Sequence, residues 1–411
     1  MAERLTNYLN KQELLTSRQY GFRPGYSTEL AVHHLCQSMY HAMDSKLFQI
    51  TVFCDFSKAF DTISHNILFT KLLTYGIRGN AHKWFISYLS NRSQFTSYNN
   101  ALSSHRNITC GVPQGSILGP ILFLIYINDL VRCSNIIQFL LYADDTTVYL
   151  QGNNLLNLKH TMNVELTKIY NWVICNKLTL NLNKTNYMIT SPLLTLPITT
   201  SININNIELT EVKQFKFLGV YIDNKLKWSQ HIDIIKSKLS ILTGIIYRIR
   251  SHLNSSCLRL IYFTLVYPHL TYCSAIWGGA YSTYIDNLFL AQKKLLRVMY
   301  CKGRYDHTSS IFKDNRFLKL NDIINLHTNC FVHKALHCPT LDLGFDIIQH
   351  NVTRRARHLR IPLCRTTHAQ QSVLSRGAKA WNSLPEFLVT EYNGRTFKKK
   401  LSTAILTNHN H

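Results

Sequence analysis

One acidic side chain at the end of an apolar run, two more at the tip of a hairpin, and a glycine-bounded loop between them constrain this chain more than any other feature. The segments are Phe53-Cys54-Asp55-Phe56-Ser57-Lys58-Ala59-Phe60-Asp61, Gly111-Val112-Pro113-Gln114-Gly115-Ser116 and Tyr142-Ala143-Asp144-Asp145. Residues 48–56 are nearly all apolar or β-branched and predict a buried strand. Its period of two sends Ile50, Val52 and Cys54 one way and Thr51, Phe53 and Asp55 the other, so Asp55 is expected to leave the core on an open face. Residues 136–141 and 146–150 predict two strands joined across Asp144-Asp145, a turn chemistry that suits a tight hairpin. A lone acidic pair usually belongs to a turn or a cap; the ordered set is a stronger signal.

The surrounding pattern predicts the α+β class, an antiparallel sheet backed by helices. A short amphipathic helix carrying Leu5, Tyr8 and Leu9 precedes the Gly/Pro loop 19–28, where Ser27 or Thr28 can cap a helix whose apolar positions are Leu30, Ala31, Leu35, Met39 and Met43. Helices are predicted over 61–75 (capped by Asp61 or Ser64), 81–89, 121–131 and 155–175, with short strands near 94–98 and 105–109 and a hairpin around 186–222. Beyond Trp228 the period becomes helical. Ile232, Ile235, Leu239, Leu242 and Ile246 share a face, with Lys225, Lys227, Lys236, Lys238, Arg248 and Arg250 interleaved, as in a basic helical bundle.

Lysine and arginine outnumber aspartate and glutamate 45 to 22, giving a formal charge of +23 over 411 residues. That balance points to a polyanion partner, because each phosphate neutralised releases counterions. The 11 cysteines lie in otherwise apolar segments, among them Cys36, Cys54, Cys133, Cys175 and Cys273, and read as reduced intracellular core thiols. The longest apolar run, 121–127, is far shorter than a bilayer span, and no membrane segment or targeting peptide is predicted.

Carboxylates placed in this way suit in-line phosphoryl transfer, in which the protein's main task is positioning and charge neutralisation by two metal ions on oxygen ligands. Asp55 and Asp144 are the expected ligands, with the Phe56 carbonyl and Asp145 contributing. In a polymerase, an aromatic at Phe60, five residues after Asp55, would sit under the sugar of an incoming nucleotide and collide with a 2′ hydroxyl; the spacing equally suits a core aromatic, and the two roles are compatible. Gln114 would touch the nucleotide or the template–primer groove from a loop whose glycines allow close approach, or the loop simply caps the helix that follows. Lys184 is a candidate to protonate or neutralise departing pyrophosphate, or else a solvated lysine. Cys330, His333, His337 and Cys338 have zinc-like spacing on a helical apolar pattern. The cluster Arg354, Arg355, Arg357 and Arg360 fits a solvated face, a localisation signal or an RNA contact.

These residues, with Leu180-Asn181-Leu182-Asn183-Lys184 and Phe217-Leu218-Gly219-Val220 in the same order, resemble the reverse transcriptases of non-LTR (LINE-like) retrotransposons over roughly residues 1–225. Similar segments continue further on, at Tyr267-Pro268-His269, Tyr305-Asp306-His307-Thr308 and Ala380-Trp381-Asn382-Ser383-Leu384-Pro385. The resemblance implies a right-hand polymerase: partial fingers over 1–48, a palm with the remaining fingers elements over 49–224, a helical thumb over 225–300 and a basic, mainly helical region over 301–411. It implies RNA-directed DNA synthesis with two Mg²⁺ ions (Mn²⁺ as a substitute), on an RNA template with a DNA primer or target and dNTPs, in the nucleus or a cytoplasmic ribonucleoprotein. Asp55, Asp144 and Asp145 match the catalytic carboxylates and Phe60 the sugar gate. Gln114, Lys58, Ala59 and Arg23 match nucleotide-facing positions, and Phe217, Leu218 and Gly219 the primer grip. Such proteins carry an endonuclease and further fingers blocks ahead of the position of Met1, so a truncated chain is expected, with a catalytically inactive nucleic-acid-binding remnant as the alternative to an active polymerase.

Overall fold

The computed structural model describes residues 1–193, 201–338, 343–347 and 358–408. They form two compact units, 1–31 with 46–213 and 32–45 with 214–411.

In the first unit a five-stranded sheet runs in the order Thr210–Glu211, Asn186–Thr190, Phe48–Cys54, Asp145–Gly152, Gln138–Tyr142. Neighbours are antiparallel except the parallel pair Thr210–Glu211 and Asn186–Thr190. The central strand is buried throughout, Thr51 and Phe53 included. The open face expected along it is therefore closed, and only Asp55, just past its end, is half-exposed. Its polar side chains tolerate burial because they pair: Gln49 Nε2 donates to Thr51 Oγ1 at 3.0 Å, and Gln151 Nε2 donates to Gln49 Oε1 at 2.8 Å.

Ile50, Val52 and Cys54 face a core that also holds Leu122, Phe123, Met162, Leu166 and Ile169. Helix Leu155–Cys175 turns its apolar positions, three or four residues apart, onto that core, and its first turn is capped by the Asn154 side chain accepting from Asn157 N. Helix Leu118–Ile127 is apolar on all sides and almost wholly buried. It starts three residues before the predicted position and passes into the 3₁₀ turn Asn128–Cys133.

The N-terminal segment is sewn to this core. Leu5 and Leu9 enter it, while Asn128 donates to Leu14 O at 2.8 Å and accepts from Thr16 N at 2.8 Å. Residues 18–20 then run beside strand Gln138–Tyr142 as a short parallel bridge, with Leu141 N donating to Arg18 O and Tyr20 N donating to Leu141 O. They cover what would otherwise be an open sheet edge.

The second unit contains the hairpin Gln214–Phe217 and Val220–Asp223 and a set of helices. Helix Ser229–Ile249 buries His231, Ile232, Ile235, Leu239, Thr243 and Ile246, so Thr243 takes the core place predicted for Leu242. The Thr243 hydroxyl donates to Leu239 O at 2.7 Å, which meets its hydrogen-bonding need inside the helix. Helix Leu320–His337 packs against Val373–Asn382 and Gly394–Asn408. The zinc-like set is not a metal site: His333 stacks on Phe397 and its Nε2 lies 2.8 Å from Glu391 O, and no group of three metal-ligating side chains is found among the described residues. In the Ala380-Trp381-Asn382 segment Trp381 is fully buried, and Asn382 exchanges two hydrogen bonds with the Leu359 backbone at 2.9 and 2.8 Å.

None of the 11 cysteines is placed in a disulfide, but only Cys36, Cys54 and Cys273 are buried; Cys133 is half-buried and Cys175 exposed, against the expectation that they lie in the core. Among the described residues no helix is long and apolar enough to cross a membrane. Arg354, Arg355 and Arg357 lie outside the described residues.

Candidate active site

The strand register brings the acidic residues together. Cys54 pairs with Thr146, so one further step places Asp55 across from Asp145. Asp145 pairs in turn with Tyr142, which leaves Ala143 and Asp144 as a two-residue turn. Asp145 opens the second strand, whereas the pattern had placed it in the turn. Ala143 is buried and left-handed at φ 55°.

Desolvation first, then the charge of Asp55, raises the Asp144 carboxyl above its ordinary value. Asp145 is pushed up to about 6 by desolvation, then by Asp144 and Asp55. As a residue it stays exposed, so water screens part of that shift. The three charges repel one another, and oxygen-only anionic donors of this kind suit hard divalent cations. As they stand, however, no three ligating side chains among the described residues are arranged to hold an ion. The carboxylates share a field without forming a three-ligand shell.

A second turn steadies Asp55. Its N–H donates to Thr185 Oγ1 at 3.3 Å, and its carbonyl accepts from Asn181 N at 2.8 Å. Lys184 lies in this turn and is exposed. Phe56 pairs with Leu180, but the flanking bonds, Asn181 N to Asp55 O and Ser57 N to Thr179 O, leave its carbonyl out.

Phe60 is half-buried, stacked on Phe123 with ring centroids 4.4 Å apart and meeting Phe22 edge-on at 6.4 Å. The Gln114 loop is tied to the same region. Val112 N donates to Phe60 O at 3.0 Å, Gly111 N to Ile63 O at 2.8 Å, and Gln114 Nε2 to Asp61 Oδ1 at 2.7 Å. Gly111, at φ +83°, allows this approach, since a Cβ there would lie 2.7 Å from Asp61 O. The loop also caps: Ser116 Oγ accepts from Gly119 N at 3.0 Å. A cleft of about 610 Å³ lined by Lys58, Asp61, His65, Arg92, Asn107 and Gln114 lies alongside.

Other expected residues are placed differently. Lys58 is exposed in a left-handed turn, but the Ala59 side chain is in the core, leaving only its backbone for a ligand. The Arg23 guanidinium donates to Thr16 O at 2.5 Å and lies 4.5 Å from the Tyr26 ring centroid, so here it braces the N-terminal segment. Phe217, Leu218 and Gly219 belong to the second unit. There Leu218 and Gly219 form a hairpin turn with φ 45° and 85°, Phe217 is buried, and the Tyr272 hydroxyl donates to Leu218 O at 2.6 Å. Sequence reasoning missed Gln19, Asp61 as partner of Gln114, and Thr185. The first left one trace, a glycine two residues after a glutamine.

The chain belongs to the reverse transcriptase (RNA-dependent DNA polymerase) family, whose model matches residues 1–222. Among curated relatives, the probable RNA-directed DNA polymerase from transposon BS of Drosophila melanogaster is 26% identical over 351 residues, covering 80% of this chain and 37% of the relative. The RNA-directed DNA polymerase from the mobile element jockey of the same species is 25% identical over 339 residues, covering 77% and 36%. The chain thus spans little more than a third of these relatives' length. Telomerases of Candida albicans and Candida tropicalis share 13% and 11% identity over 77% and 82% of this chain and 57% of theirs, each with a TM-score of 0.39, a likeness too slight to carry any inference.

Proposed function

We propose that this chain is the polymerase portion of a non-LTR retrotransposon protein, copying RNA into DNA by adding dNTPs to a primer 3′ hydroxyl. The observation that carries the reading is the meeting of Asp55, Asp144 and Asp145 at one end of adjacent strands, where burial first and then their mutual charge raise two of the carboxyls. Asp55, Asp144 and Asp145, with the Phe56 carbonyl, are the groups that would hold two Mg²⁺ ions, which would supply charge neutralisation for phosphoryl transfer. The protein's own residues position the reactants. Phe60, backed by Phe123, blocks a 2′ hydroxyl; Gln114, held by Asp61, contacts the nucleotide with Lys58 and the Ala59 backbone; exposed Lys184 meets the departing pyrophosphate.

The same reading makes residues 1–48 partial fingers, 49–224 the palm with its remaining fingers elements, 225–300 the thumb and 301–411 a basic C-terminal region. Within it the Leu218-Gly219 turn is the part of the primer grip free to touch a strand, since Phe217 is buried. RNA template, DNA primer and dNTPs are the partners, and the nucleus is the expected place of action.

Primer extension on an RNA template with dNTPs and Mg²⁺ tests this. Incorporation by the wild type that falls by about 10²- to 10³-fold in Asp144→Asn is the expected result. Equal incorporation by both, or none by either, removes the catalytic reading and leaves a nucleic-acid-binding remnant.

A further inference from the structure

We propose that Gln19 is a positioning residue for the catalytic turn, fixing the Ala143-Asp144 backbone through its carboxamide oxygen; this deepens, and rests on, the polymerase reading above. Gln19 is 2% exposed. Its Oε1 accepts two backbone N–H groups, from Gly21 at 2.8 Å and from Ala143 at 3.0 Å. These bonds settle the orientation of the amide, because the flipped group would point NH₂ at two donors. Its Nε2 is left buried without a hydrogen-bond partner. An orphaned interior donor is unfavourable, and the oxygen's two bonds are what this side chain supplies in return.

What the oxygen holds is the turn that presents Asp144. Ala143 is left-handed at φ 55°, a conformation that disfavours alanine by about 1–2 kcal/mol and persists only where its surroundings impose it. The surroundings here are residues 18–21. Arg18 O and Tyr20 N grip Leu141 from both sides, Gln19 reaches past it to Ala143, and Gly21 lies so close that a Cβ would stand 2.4 Å from Ala143 N. Asp144 follows directly. A change in the Ala143 dihedrals swings its carboxylate, and misplacement of a reacting group by about 1 Å is enough to slow chemistry 10²-fold.

The test uses the full 411-residue chain with Gln19→Met, which keeps length without the acceptor, and Gln19→Glu, which keeps the acceptor. In single-nucleotide incorporation with Mg²⁺, Gln19→Met is expected to lower kcat by about 10- to 100-fold with the KM for dNTP nearly unchanged, and Gln19→Glu to recover most of the loss. A raised KM with intact kcat, or no loss, overturns the proposal. Hydrogen exchange at the Ala143 amide reads the same bond without turnover: slow in the wild type and in Gln19→Glu, faster in Gln19→Met. An unprotected Ala143 amide in the wild type, or equal exchange in wild type and Gln19→Met, overturns it whether or not the chain polymerises. A wild type that protects Ala143 yet incorporates nothing refutes the polymerase reading and leaves the Gln19 bond to the exchange arm alone.

Discussion

Asp145 gives the site a pH signature. Its carboxyl is held up to about 6 against an ordinary 3.8, so the folded chain binds that proton more tightly than the unfolded one. The residue is therefore harmless to stability below about pH 4 and becomes destabilising as pH rises to about 6, above which the penalty is constant. Asp145→Asn should melt above the wild type at pH 7.5, with the gap closing as pH falls through that window, while polymerase activity is lost; a gap that does not depend on pH would contradict this. Mg²⁺ should raise the wild-type melting temperature more than that of the variant, which keeps only the Asp55–Asp144 part of the repulsion. Phe60→Ala should weaken discrimination against ribonucleotides by about 10- to 100-fold, read from the kcat/KM ratio for a matched dNTP and NTP. The stack on Phe123 predicts lower thermal stability in the same variant.

At the scale of elements, two short motifs act through backbone geometry. Gly219 sits at φ +85° with the Tyr272 ring 3.3 Å from where a Cβ would be, so Gly219→Ala should cost about 1–2 kcal/mol in denaturant unfolding. Asn382→Ala removes both bonds to the Leu359 backbone and should cost about 1–3 kcal/mol by the same measurement. Period and turn chemistry made the central strand, the hairpin and the long helices legible, because alternation and 3.6-residue spacing are local properties of a sequence. The tie from Gln19 to Ala143 was not legible, since a hydrogen bond between residues 124 apart has no period. Arg23 and the histidines near His333 could be read from the sequence only as candidates, for a related reason: a side chain that can bind a ligand can equally serve a carbonyl or a ring of its own chain, and only packing chooses. Thr243 displaced Leu242 because helical phase, once set by Ile235 and Leu239, outweighs hydrophobicity when a hydroxyl can bond within the helix.

For the whole molecule, the charge of +23 predicts nucleic-acid binding dominated by counterion release. Affinity for an RNA–DNA duplex should fall by about 10³-fold or more between 50 and 200 mM salt, measured by fluorescence anisotropy; a flat titration would exclude phosphate contact as its source. One consequence concerns helix Thr28–Asp44, which begins in the first compact unit and from Val32 onward is counted with the second. Severing the polypeptide after Lys213 would deprive the distal fragment of Tyr40, whose hydroxyl receives the Trp228 indole N–H at 3.4 Å, and of Asp44, which receives the Thr366 amide at 2.8 Å. A gene fragment starting at codon 214 should therefore yield a poorly behaved product, and supplying a peptide of residues 28–46 in trans should rescue its solubility.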